Sequence, residues 1–171
     1  MGFFSDKSFL GEYRRSTGGK YVYTGAFYRT ADPKKARLAA AFCAASACVF
    51  AVLSGLIREG GMLNTFYVLL PYIGEVASAF ALAWTSARFA AGCARTTEHN
   101  YLSFKKNVPA ACVSLCVFSA AGAAASAVFL ILNGTGGSPL MCAALLLLKL
   151  ASFLDGLFYR RFFVKLVWEK V

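Results

Sequence analysis

Three ionisable residues stand inside apolar stretches of this 171-residue chain: Glu75, Lys149 and Asp155. A charge at the centre of a helix in lipid costs about 2.5–3.5 kcal/mol on insertion scales, so each requires a partner or a wet cavity. Glu75 has Tyr72 three residues before it and Ser78 three after it, on one helical face, and Lys149 shares a face with Cys142, Ser152 and Gly156. Opposite charges meeting in such a setting either form an ion pair that fixes helix register or serve a proton- or solute-linked site. Thr65 to Glu75 and Pro139 to Lys149 are both steps of ten residues from the outer edge of an apolar run. At a rise of ~1.5 Å per residue both lie ~15 Å deep, half of a ~30 Å hydrocarbon core. The matching depths predict that Glu75 and Lys149 pair near the bilayer centre. Asp155 lies about 120° around the helix from Lys149, nearer the inner face, within reach of Arg88, Arg160 or Arg37.

Other reactive groups carry less. The six cysteines include no CxxC pair, which excludes a quinone-linked thiol oxidoreductase. Cys112 and Cys116 are one helical turn apart, but no histidine stands near them in the sequence; within apolar helices such cysteines act as small hydrophobes. His99 is the single histidine and sits among Arg95, Glu98 and Asn100, a solvated setting. HExxH, GxGxxG, a Walker loop and GxSxG are all missing. The expectation is therefore a non-enzymatic protein with no catalytic residue, no metal and no cofactor.

The elements that must position the three charges are plain from composition. Apolar types make up 58% of the chain and charged types 15%, which excludes a disordered body. The net charge of +10 sits between long apolar runs rather than across a polar surface, so nucleic acid is excluded as a partner. Apolar runs cover about 38–57, 65–89, 109–132 and 139–158. Each is long enough to cross a bilayer, and in lipid each must be helical to satisfy its backbone. Alanine, present 29 times, is the best helix former. The predicted fold is an all-α integral membrane protein, an antiparallel four-helix transmembrane bundle spanning 38–158. Pro71 deprives the Tyr67 carbonyl of its helical donor and predicts a kink just outward of Glu75. Small residues at heptad-like steps mark two tightly packed faces: Ala40, Ala44, Ala47, Ala51 and Ser54 in the first span, and Cys112, Cys116, Ser119, Ala123 and Ser126 in the third.

Residues 1–37 carry eight Lys/Arg, 88–106 four and 159–171 four, against Arg58 alone in the first loop and none in the third: sixteen against one. The positive-inside rule places both termini and the middle loop in the cytoplasm, in the style of a bacterial cytoplasmic membrane protein. The first apolar run begins only after 37 polar-rich residues, so no cleavable leader is expected. Residues 1–37 also hold eight aromatics and suit the headgroup zone of anionic lipid. Within them, 20–29 reads as two β-prone runs about Thr24-Gly25, a hairpin in need of support from the bilayer surface, the bundle end or a partner. Asp32-Pro33 reads as the cap and first turn of the first helix. The tail 159–171 reads as a helical extension with Arg161, Lys165 and Glu169 as one charged stripe along the inner surface. Two functions follow. One is an accessory or scaffold subunit that binds a partner through helix faces or basic cytoplasmic segments, as a homo-oligomer or within a larger membrane complex. The other is a small oligomeric transporter or channel that uses Glu75 and Lys149.

Overall fold

The computed structural model describes residues 13–15, 21–57, 61–134 and 138–171. Three short strands come first: β1 (Tyr13–Arg15), β2 (Tyr21–Tyr23) and β3 (Phe27–Thr30). Four long helices follow: α1 (Pro33–Leu56), α2 (Phe66–Gly92), α3 (Glu98–Asn133) and α4 (Pro139–Val164). A two-residue strand β4 (Thr96–Thr97) precedes α3, and β5 (Trp168–Lys170) ends the chain. All four helices are long and apolar enough to cross a membrane. Of the segments read from sequence, 1–12 and 16–20 of the amino-terminal segment, the first loop at 58–60 with Arg58, and 135–137 lie outside the described residues.

The helices close in a ring, α1 against α2, α2 against α3, α3 against α4, and least extensively α4 back against α1. The core is built from small side chains. Ala36, Ala40, Cys43, Ala47, Ala51 and Ser54 are the buried face of α1, and Cys112, Cys116, Ser119, Gly122 and Ser126 recur on that of α3. Steps of three and four keep one face inward and allow close backbone approach. Both expected stripes are thus largely the inner faces of the bundle; Ala44 and Ala123 fall at their margins. Large apolar residues such as Phe42, Ile73, Phe80, Trp84 and Leu147 point outward, the inverse of a soluble bundle.

Helix ends follow local chemistry. Asp32 caps α1: its carboxylate accepts from the Lys35 N–H at 3.2 Å, with Pro33 in the first turn. That backbone bond, reinforced by the Lys35 side chain, holds the Asp32 carboxyl below its ordinary pKa. Gly134, at φ +70°, ends α3 in a conformation that disfavours a side chain. One helix starts well before its hydropathy boundary. α3 begins at Glu98, eleven residues before Pro109, because Phe104 and Val108 continue its buried face while polar residues cover the other. α2 runs unbroken through Pro71.

The expected helical tail is corrected. α4 stops at Val164, and Trp168–Lys170 is a strand. The expected hairpin about Thr24-Gly25 is corrected as well: β2 pairs with β1, and β3 lies between β4 and β5 in an antiparallel sheet. The two corrections share a cause. β3 offers two free edges, and the β-prone Trp168 run fills one while Thr96–Thr97 fills the other. Tyr28 stands opposite Thr96 on one side and Lys170 on the other, and Arg29 opposite Glu169. Arg29 Nη2 meets Glu169 Oε2 at 3.0 Å. The Tyr23 hydroxyl donates to the Ala26 carbonyl and accepts from the Glu98 N–H, both at 3.2 Å, turning the chain between β2 and β3. Thr30, fully buried, bonds the Cys93 carbonyl with both its N–H and its hydroxyl at 3.0 Å. Below the sheet, Phe89 meets Phe104, Phe163 and Trp168 edge-on at centroid separations of 5.8, 5.2 and 5.9 Å. Parts of three distant basic segments are thereby knitted together at one end of the bundle.

Candidate functional site

Glu75 on α2 and Lys149 on α4 form an ion pair between Oε2 and Nζ, with both side chains buried. Each comes from the middle of a long apolar helix, where a lone charge is costly. The other two helices complete the site. Lys149 Nζ donates to Ser54 Oγ of α1 at 3.2 Å, and Ser54 in turn donates to the Ala51 carbonyl at 2.9 Å. The Ser119 hydroxyl of α3 donates to Glu75 Oε1 at 3.1 Å. The ammonium also stands 5.0 Å from the centre of the Tyr72 ring, within reach of a cation–π attraction. An ammonium has three protons and a carboxylate two oxygens. Here the protons meet Glu75, Ser54 and a ring face, and each oxygen has its own donor. Donors converge on Glu75 from Ser119 and Lys149, and Lys149 also donates outward through Ser54 to the Ala51 carbonyl, so each of these polar groups has a protein partner.

Ser54 lies two residues from the end of α1 at Leu56. Side chains on helices lean toward the amino terminus, and both α2 and α4 begin at that end. The charged groups consequently sit on the Ser54 side of their own Cα atoms, farther from the sheet end than counting backbone positions implies. A cavity of about 10 Å³ adjoins the ammonium, lined by Ser54, Tyr72, Gly122, Ser126 and Leu145 among others, with Met62 and Leu63 toward the α1–α2 connection. That is room for a single water at most.

Asp155 stands apart, with a serine rather than an arginine as its partner. Its Oδ2 accepts from the Ser46 hydroxyl of α1 at 2.7 Å. Arg37 instead donates to the Ala90 carbonyl at 3.2 Å, and Arg88 lines a shallow surface cavity with Arg95. Neither Arg88 nor Arg160 bonds to Asp155, because α1 occupies the side to which that carboxylate turns. Ser78 pairs with Ser114 of α3 at 2.7 Å rather than with Glu75. Gly156 and Cys142 keep to the buried face of Lys149, and Ser152 does so with its hydroxyl unpartnered among the described residues. Pro71 lies one residue before Tyr72, on the turn that faces the pair.

Sequence reasoning missed Ser54 and Ser119 as partners of the pair. Both stood on the small-residue stripes, and a hydroxyl interrupting such a stripe at the level of a charge is the signal that finds them. The cysteines are free and buried or half-buried, and no group of three metal-ligating side chains occurs among the described residues. Comparison with protein-family models, with curated proteins and with solved structures returned no match.

Proposed function

We infer that this protein is a non-enzymatic integral membrane subunit, inserted with its sheet end in the cytoplasm, that acts as an accessory or scaffold for a membrane assembly. One observation carries the reading: the only buried opposite charges among the described residues neutralise each other within a closed hydrogen-bond network, beside a cavity of about 10 Å³. A transport site needs charge left over for its cargo and space to admit it. This pair leaves neither. It acts as a bolt that ties four helices in one register, consistent with polar contacts between membrane helices. The working surfaces are then the outer helix faces and the basic, aromatic sheet end, whose partners are anionic lipid at the cytoplasmic face and other membrane subunits, either copies of this chain or different ones.

The transporter reading makes a contrary demand on Glu75 and Lys149, so flux separates the two. In proteoliposomes the wild-type protein should show no proton or ion leak above lipid alone. Cross-linking in native membranes followed by purification in mild detergent should recover it in a complex larger than one chain. A leak abolished by Glu75→Gln, in a variant that still purifies as folded protein, would falsify the scaffold reading in favour of transport.

A further inference from the structure

The α1–α4 seam is the least extensive of the four helix contacts. It is closed within the bundle by the Ser46–Asp155 hydrogen bond. Toward the sheet end it opens into a groove of about 540 Å³, within the usual size of a ligand site. Its walls are apolar: Ala36 from α1, Phe158 and Phe162 from α4, and Val167 beyond. Its rim is cationic. Lys35 is already paired, at 3.2 Å, with Asp32. Arg161 and Lys165, one turn apart and also lining the groove, have no ion pair among the described residues.

Position selects the occupant. Counted from Pro139 at the far end of α4, a ~30 Å hydrocarbon core uses up about 20 residues and ends near Phe158. The apolar wall then lies at the inner edge of the acyl region, and Arg161 and Lys165 lie at phosphate level. A small soluble anion has no use for the phenyl wall. A second copy of this chain brings another +10 to a cationic rim. A phospholipid supplies both chemistries at the required spacing, and the planar donors of arginine suit its phosphate. We propose that this groove seats one anionic phospholipid, its phosphate held by Arg161 and Lys165 and an acyl chain running from Phe162 past Phe158 into the hydrocarbon core.

The proposal rests on the membrane reading above, with the sheet end at the inner leaflet. It is tested on the full chain in neutral detergent by native mass spectrometry. Phosphatidylglycerol or phosphatidylcholine of identical chains is titrated in. The first phosphatidylglycerol should bind about tenfold more tightly than phosphatidylcholine, from two cations near a phosphate. The pair of changes Arg161→Gln and Lys165→Gln should erase most of that preference. The pair Arg88→Gln and Lys106→Gln removes equal charge from α2 and α3 and should leave it intact. Ala31→Trp, at the exposed mouth, should weaken both lipids. Equal loss in the two double variants, or none in the first, overturns the site. Competition by glycerol phosphate as strong as by phosphatidylglycerol overturns the lipid assignment in favour of a free phosphate compound. Carbonate extraction of native membranes checks the parent reading separately: a protein that stays in the pellet yet shows no lipid preference refutes the groove alone.

Discussion

At the residue scale, the Glu75–Lys149 pair has a testable energetic signature. Removing one member leaves a buried charge facing a hydroxyl, and breaking a buried pair typically costs about 3–5 kcal/mol. Lys149→Met should therefore lower the midpoint of thermal unfolding in detergent sharply, or leave Glu75 protonated with only Ser119 as its partner. Glu75→Leu should be similarly costly, because the Lys149 ammonium then keeps only Ser54 and the Tyr72 ring. The double change should be milder than either single one, since the unpaired charge is the expensive state. Additive losses in this double-mutant cycle, read by thermal unfolding of purified protein, would show that the two side chains do not interact. Infrared detection of a protonated carboxyl in Lys149→Met, absent from wild type, would separate proton uptake from general loosening. The pair was legible in the sequence because charges are rare in such runs and their offsets matched. Asp155 was not, because its hydrogen bond to Ser46 depends on which face of α1 turns toward α4, and hydropathy does not report that.

The elements show where one-dimensional patterns stop. The four helices were legible, since a bilayer-length apolar run has few alternatives. Their ends were legible only where capping chemistry marked them, as at Asp32-Pro33. The amino-terminal extension of α3 escaped because its buried positions, Phe104 and Val108, are too few to raise local hydropathy among Lys105, Lys106 and Asn107. The sheet escaped for a different reason. It pairs segments roughly 70 and 140 residues apart, and no local pattern encodes such register. A consequence can be measured. Trp168 packs on Phe89 and Tyr101, and β5 bonds the edge of β3, including Val171 N–H to the Phe27 carbonyl at 2.8 Å. Deleting 168–171 should leave helix content unchanged by circular dichroism while speeding amide exchange of Arg29, whose N–H faces β5, by tenfold or more, about 1.4 kcal/mol of lost local protection. Unchanged exchange there would mean that β5 contributes nothing to the order of the bundle end.

For the whole molecule, two independent lines bear on sidedness. Charge counting groups residues 1–37, 88–106 and 159–171 on one side. The fold brings β3, β4 and β5, one strand from each of those segments, into a single sheet at one end. Packing knows nothing of translocation, so the agreement is informative: a sheet assembled from three segments requires all three to remain in one compartment. It says which segments belong together but not which compartment holds them. The choice of compartment rests on lysine and arginine alone, sixteen of them in the three segments that the sheet joins against Arg58 in the first loop. Fusion of a reporter active only outside the cytoplasm to Val171 should give no signal, and its insertion after Gly136 should give a strong one. A cysteine-accessibility version avoids bulky fusions. In a variant lacking the six native cysteines, an impermeant maleimide should label Ser138→Cys in intact cells and should label Lys170→Cys only after permeabilisation. The reverse pattern in both assays would invert the molecule, place the lipid groove in the outer leaflet and remove cytoplasmic anionic lipid from its partners, while leaving the ion pair and the sheet as they are. Labelling of Lys170→Cys and Ser138→Cys from the same side would be graver, since it contradicts four crossings and with them the bundle itself.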